Sequence, residues 1–292
     1  MRQLGLDLGG TDIKLALLED DRLVATDTAP TRSESGGPPA VLERIVALGR
    51  SAGSADSVAV SVPGLVDATG CGLLFPNLYG DWLGQPITSP LTAGFGQPVA
   101  LLNDGHAFAL AEARVGAARG SRDVICIVCG TGVGGGLVLS GHLHLGIGER
   151  AGEVGHQTVE PDGDPCGCGN NGCLETIAGA RAIARAAGRE TFAETLDAAR
   201  AADHAAVAAV ARAGRYLGIA IANLTIFLTP ERFVIGGGVA EAGELLLDPI
   251  REEVRRRAGK VAPLDEIGIV RAELGPYAGA MGAALYGAER RS

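Results

Sequence analysis

The chain reads as an α/β protein of two domains with a cleft between them, and three features of the sequence lead there. Apolar hairpins turned on glycine open at Gln3 and at Val124, each is followed by strands alternating with helices, and 292 residues of 47% hydrophobic content suffice for two cores at about 150 residues per domain. Ligand sites favour such clefts.

Taken in order, Gln3–Leu8 and Asp12–Leu18 are apolar strands joined at Gly9-Gly10-Thr11, and Leu23–Thr28 adds a third. A helix over Pro39–Arg50 follows, then strand Ser57–Val62, the Pro63-Gly64 turn, strand Val99–Leu102 and a helix over His106–Val115. After a joint at Gly116–Ser121 the pattern restarts with an apolar strand from Val124 that turns on glycines and returns. Helices near Leu174–Ala187 and over Asp203–Leu228, strand Phe233–Ile235, a helix over Glu241–Arg257 and strand Ile267–Val270 complete the second set. Pro276 opens a final helix whose Gly279, Gly282 and Gly287 are spaced for close packing. The expected domains are therefore residues 1–118, with 276–292 packed back on them, and residues 119–275.

The 25 basic and 34 acidic side chains leave a net charge of -9, and the longest basic run is Arg255-Arg256-Arg257. No basic face is left for a phosphate backbone or anionic lipid, so neither nucleic acid nor membrane is an expected partner. The uncharged stretch Val124–Gly148 is long enough to cross a bilayer, but its eight glycines make it strand, turn and strand instead. No cationic segment followed by an apolar core and a small-residue cleavage site opens the chain, so a cytoplasmic location is expected. In that compartment six cysteines mean metal ligation or burial rather than disulfides. Cys126 and Cys129 fall on opposite faces of one strand and cannot chelate together. Both are expected to be buried, as is Cys71.

Three glycine turns carry the first chemical signal: Asp7-Leu8-Gly9-Gly10-Thr11, Gly130-Thr131-Gly132-Val133-Gly134-Gly135-Gly136, and Gly236-Gly237-Gly238 after a buried strand. Phosphate oxygens need converging N–H donors without a β-carbon in the way, and glycine allows both close approach and an anion-binding turn. Any one of the three reads equally well as a tight hairpin turn, and none fits the P-loop or dinucleotide fingerprints. Together, two of them with a threonine hydroxyl, they point to a nucleotide, with Asp7 placed to hold Mg²⁺ or its waters.

Asn103-Asp104 ends a strand immediately before a helix, the edge at which open α/β sheets bind ligands. Alone, Asp104 reads as a helix cap. Beside phosphate turns it becomes a base that accepts the proton of an attacking hydroxyl.

The most specific signal is Glu153-Val154-Gly155-His156 followed by Cys166-Gly167-Cys168-Gly169-Asn170-Asn171-Gly172-Cys173-Leu174-Glu175. Three thiols and an imidazole within 18 residues fit tetrahedral zinc, against free buried thiols or a redox pair, and four protein ligands make the site closed and structural. Such a site pins the loop and aims Glu153 and Glu175 at a substrate; carboxylates suit the paired hydroxyls of a sugar. Most other glutamates, including Glu252, Glu253 and Glu289, read as solvated surface charge.

On these motifs the sequence resembles the ROK (repressor, open reading frame, kinase) sugar kinases over essentially its whole length, with no departure at the signature positions. The resemblance implies a two-domain actin-like ATPase (ribonuclease H-like) fold, a structural Zn²⁺, and Mg-ATP phosphorylation of a hexose hydroxyl with Asp104 as base. It places Asn103, Asp104, Glu153, His156 and Glu175 at the sugar. The metal ligands it implies are His156, Cys166, Cys168 and Cys173, so His156 serves both zinc and sugar. Asp7, Gly9, Gly10, Thr11, Gly130, Thr131, Gly132, Gly236, Gly237 and Gly238 would hold ATP. Phe75-Pro76-Asn77-Leu78 with Trp82 resembles the segment that closes over the substrate, which adds Asn77 and Gly64 to the sugar set. A homodimer is the family's common form.

Repressors of the family need a DNA-binding domain, and only six residues precede Asp7. The intact Asn103-Asp104 pair argues for catalysis over an idle sugar sensor. Among glucose, N-acetylhexosamines and fructose, Ala151-Gly152 before Glu153 looks less like fructokinases, and glucose is the expectation. ATP is the expected phosphoryl donor, with polyphosphate as the alternative.

Overall fold

The apolar runs at the start of the chain pair as a hairpin, β1 (Arg2–Leu8) against β2 (Asp12–Glu19), with Asp7 opposite Lys14. This is a computed structural model, and it describes residues 1–76 and 78–290. The chain divides into one unit of Met1–Val115, Leu143–Ala151 and Pro276–Ser292 and another of Gly116–His142 and Gly152–Gly275.

In the first unit the hairpin is extended by β3 (Arg22–Pro30), followed by α1 (Gly37–Ser51), β4 (Ser57–Val62), the short pair β5 (Leu65–Val66) and β6 (Gly72–Leu74), α2 (Thr88–Phe95), β7 (Val99–Asn103) and α3 (Asp104–Arg114). The sheet order is β3-β2-β1-β4-β7, antiparallel across β3-β2-β1 and parallel from β1 to β7. Leu4, Leu6, Leu8, Ile13, Leu15, Val58 and Val60 are shielded from water by Val41, Leu42 and Ile45 of α1 and Leu91 of α2. Prolines 38 and 39 preset the first turn of α1, which starts ahead of the expected Pro39. The helix α2 was not anticipated: its Pro90 and Gly94 obscure an eight-residue pattern.

The second unit repeats the plan. It comprises β8 (Val124–Cys129), β9 (Val133–Leu139), α4 (Glu175–Ala178), α5 (Ala180–Ala186), α6 (Phe192–Arg200), α7 (His204–Leu228), β11 (Arg232–Gly236), α8 (Glu244–Ala258) and β12 (Gly268–Arg271), and its sheet is edged by β10 (His142–His144), which starts at the unit's boundary residue His142. The order β10-β9-β8-β11-β12 matches the first sheet position for position, with the β8-β9 pair antiparallel and β8-β11-β12 parallel. The helix α7 has the length and apolarity to cross a membrane, but 56% of its apolar window is buried inside the protein. It is the core helix of its unit, packed on α8.

Three local expectations are corrected. The helix expected over Glu241–Arg257 is broken at Gly243 (φ 58°, ψ -132°) into a 3-10 turn at Gly238–Ala242 and α8. Glu253 is not solvated: it is 8% exposed, lies beside Gly218 of α7 and pairs with Arg256 and Arg257, which hold its carboxyl below the usual range. Cys71 is only partly buried, at an edge bridge to Pro86, whereas Cys126 and Cys129 are fully buried. Burial pushes the Cys129 thiol up to about 12, so it is inert.

The last helix, α9 (Ala278–Glu289), packs on β1, β4 and α3. Its residue 282 is glycine because a β-carbon there would stand 1.8 Å from the Ala107 carbonyl oxygen of α3.

Candidate active site

In the first unit the glycine turn after β1 is closed by its own backbone. Gly9 N–H donates to Asp12 O at 3.0 Å and Thr31 N–H to Thr11 O at 2.7 Å, while the Thr31 hydroxyl donates to Gly9 O at 2.7 Å. The N–H groups of Gly10 and Thr11 and the Thr11 hydroxyl then have no partner among the described residues, and both residues are exposed. Asp7 stands just before this turn. Its Oδ1 accepts the Ser61 hydroxyl at 2.7 Å and its Oδ2 makes no hydrogen bond among the described residues. Burial pushes the Asp7 carboxyl above the ordinary range, and the Ser61 hydroxyl and the Lys14 charge pull it back.

At the end of β7 the helix begins earlier than its sequence pattern predicts, and the cap is Asn103 rather than Asp104. Asn103 Oδ1 accepts from Gly105 N–H at 2.9 Å and His106 N–H at 3.4 Å. Asp104 is thereby displaced into the first turn of α3, exposed, with Oδ1 accepting Gly105 N–H at 2.8 Å. The helix N-terminus favours a carboxylate there. Asn103 Nδ2 donates to Gly64 O at 3.2 Å, which brings those two predicted residues together. Asn77 lies outside the described residues. Of the described residues in that stretch of sequence, Phe75 and Trp82 stack at 4.9 Å between ring centroids and belong to the core, whereas Tyr79 and Leu83 face solvent.

In the second unit Gly130 N–H donates to Gly132 O at 2.9 Å, and Ala180 N–H to Gly130 O at 2.8 Å. The Thr131 N–H, its hydroxyl and the Gly132 N–H have no partner among the described residues. In the third turn Gly236 ends β11, Gly237 (φ 80°, ψ 173°) is pressed against the Cys129 backbone, and Gly238 opens the 3-10 turn. Close packing, as much as any ligand, explains glycine at 237.

The Glu153–His156 signature forms a 3-10 turn on β9. Glu153 is exposed, and its Oε2 lies 3.9 Å from His156 Nε2. His156 Nδ1 lies 3.6 Å from Cys166 Sγ, and Cys168 Sγ lies 3.7 Å from Cys173 Sγ. The four ligand atoms all fall within 4.8 Å of one another. A tetrahedron with zinc–sulfur bonds of about 2.3 Å has S···S edges of about 3.8 Å, so the cluster has the size and donor set for zinc. Nδ1 faces the thiols, and the other ring nitrogen turns toward Glu153, the arrangement that orients a metal-bound histidine.

Several positioning residues escaped the sequence reading. Ser61 holds Asp7, Thr31 holds the first turn, and the buried His106 reaches the Ala151 carbonyl at 2.7 Å through Nε2, two residues before Glu153. A lone histidine in an apolar helix carries no signal of that bond.

Two sheets of one strand order, each opened by a glycine-turned hairpin, define the two-domain actin-like ATPase fold. The chain belongs to the ROK family, whose pattern matches residues 3–289. It is 36% identical over 308 aligned residues to the glucokinase of Halalkalibacterium halodurans, covering 96% of this chain and 92% of that protein. Among solved structures it resembles the ROK family glucokinase of Streptomyces griseus in complex with glucose and AMPPNP, with TM-score 0.86, 33% identity and coverage of 99% and 100% of the two chains. It also resembles the ROK hexokinase of Thermus thermophilus, with TM-score 0.87, 34% identity and coverage of 100% and 99%.

Proposed function

We propose that this protein is an ATP-dependent glucokinase that transfers the γ-phosphoryl group of ATP to a glucose hydroxyl, giving glucose 6-phosphate and ADP. The observation that carries the reading is full-length similarity to a glucokinase that binds glucose and AMPPNP, together with the exposed Asp104 at the start of α3.

Asp104 accepts the proton of the sugar hydroxyl as its oxygen attacks the γ-phosphorus and the bond to ADP breaks. Asn103, whose Nδ2 keeps one N–H beyond its bond to Gly64, contacts the sugar with Glu153, His156 and Glu175. Gly64 and Asn77 complete that set. The unpaired N–H groups of Gly10, Thr11, Thr131 and Gly132, with Asp7, Gly9, Gly130, Gly236, Gly237 and Gly238 around them, receive ATP. Asp7 suits Mg²⁺, which takes one or two carboxylates and keeps water and phosphate for the rest; when bound it neutralises phosphate charge. His156, Cys166, Cys168 and Cys173 hold structural zinc. Residues 1–118 with 276–292, and 119–275, are the two domains of the kinase, which acts as a cytoplasmic homodimer.

The test is product analysis with Mg-ATP and glucose, mannose, fructose, N-acetylglucosamine or N-acetylmannosamine. Glucose should give the highest kcat/KM. A tenfold preference for another of these sugars would reassign the substrate.

A further inference from the structure

Glu175 opens α4 two residues after Cys173, and its carboxylate is pressed onto the Gly130–Gly136 turn. Oε2 accepts the N–H of Val133 at 2.9 Å. A β-carbon on Gly132 would stand 2.2 Å from that same oxygen and 3.1 Å from the carboxylate carbon. The nearest atoms that an alanine side chain would meet at 132 all belong to Glu175. The turn is tied a second time at the start of α5, by Ala180 N–H to Gly130 O at 2.8 Å. Oε1 of Glu175 makes no hydrogen bond among the described residues, and the residue is partly exposed.

A carboxylate held through one oxygen and open at the other has a second task besides meeting a sugar hydroxyl. The Val133 bond at one end and the Ala180–Gly130 bond at the other pin the turn on both sides of the free N–H groups of Thr131 and Gly132, and so restrict the directions in which these point. We infer that Glu175 is a positioning residue for the nucleotide turn, bracing it for phosphate through Oε2; this rests on the kinase reading above. The zinc segment thus sets the nucleotide site as well as the sugar site, and Gly132 is glycine to admit the brace rather than only to admit phosphate.

The contact is tested by AMPPNP binding to the zinc-loaded protein without sugar, followed by calorimetry, in wild type, Glu175→Gln, Glu175→Ala, Gly132→Ala and the double variant Gly132→Ala/Glu175→Ala. Glutamine keeps an oxygen for the Val133 N–H, so Glu175→Gln should bind AMPPNP within a few-fold of wild type while its KM for glucose rises. Glu175→Ala should bind AMPPNP about tenfold more weakly, in line with loss of a charge-assisted hydrogen bond. Gly132→Ala should weaken binding in the wild-type background and add little once Glu175 is alanine, since the two changes remove one contact. AMPPNP affinity unchanged in Glu175→Ala, or fully additive losses in the double variant, would overturn the inference. If Glu175→Ala does not fold, normal AMPPNP binding by Gly132→Ala overturns it alone. A wild type that binds no AMPPNP would overturn the kinase reading and the inference together.

Discussion

Gly155 lies so close to Val133 that a β-carbon at residue 155 would fall 2.0 Å from the Val133 carbonyl oxygen. The glycine of the Glu153–His156 signature is there because the turn rests on β9, and the same Val133 donates its N–H to Glu175. The Glu153–His156 turn, the glycine turn and the start of α4 therefore meet at one residue of β9, Val133.

Gly155→Ala should lift the signature off the strand and cost about 1–3 kcal/mol, as overpacking does. Denaturant unfolding measures the loss, and the KM for glucose should rise because Glu153 and His156 move with the turn. An alanine variant as stable as wild type would mean that β9 and the turn separate freely.

Metal analysis of purified protein should find about one zinc per chain. Cys168, the exposed member of the cluster, is the ligand a chelator reaches most readily, and Cys168→Ser should release most of the metal and lower the melting temperature. Metal-free protein that is equally stable and active would defeat the zinc assignment.

Glu253 makes stability depend on pH. Arg256, first, and Arg257 hold its folded-state carboxyl below the unfolded value, so its contribution is complete above the ordinary carboxylate range and fades as pH falls through the folded value. Glu253→Gln should melt below wild type at pH 7, with the gap closing in acid. A gap that is constant from pH 7 to pH 3 would show that packing beside Gly218, not charge, is what the glutamate supplies.

Strand β4 was read at both ends because an apolar run stands between Asp56 and Pro63. The helix α6 was missed although Thr191 caps it and Glu194 follows three residues on, a start signal written in the sequence. Glu253 was misread although it falls three residues after Ile250 and seven after Leu246, on the buried face of α8. The grouping of His156 with Cys166, Cys168 and Cys173, and the place of Asn103-Asp104 at the join of β7 and α3, were legible because each is a local motif. The long-range bonds around the site were not: Asp7 to Ser61, His106 to Ala151 and Val133 to Glu175 span 54, 45 and 42 residues of chain; the β1–β4 register sets the first, and the packing of helices and turns sets the other two.

The most direct test of the kinase assignment is glucose-dependent ADP release from Mg-ATP, with wild type and Asp104→Asn measured side by side. The proposed chemistry predicts turnover to glucose 6-phosphate by wild type and a kcat lower by about 10²–10⁴-fold in Asp104→Asn, with glucose binding retained. Near-normal turnover by Asp104→Asn, or no glucose-dependent ADP release by zinc-loaded wild type, would contradict it.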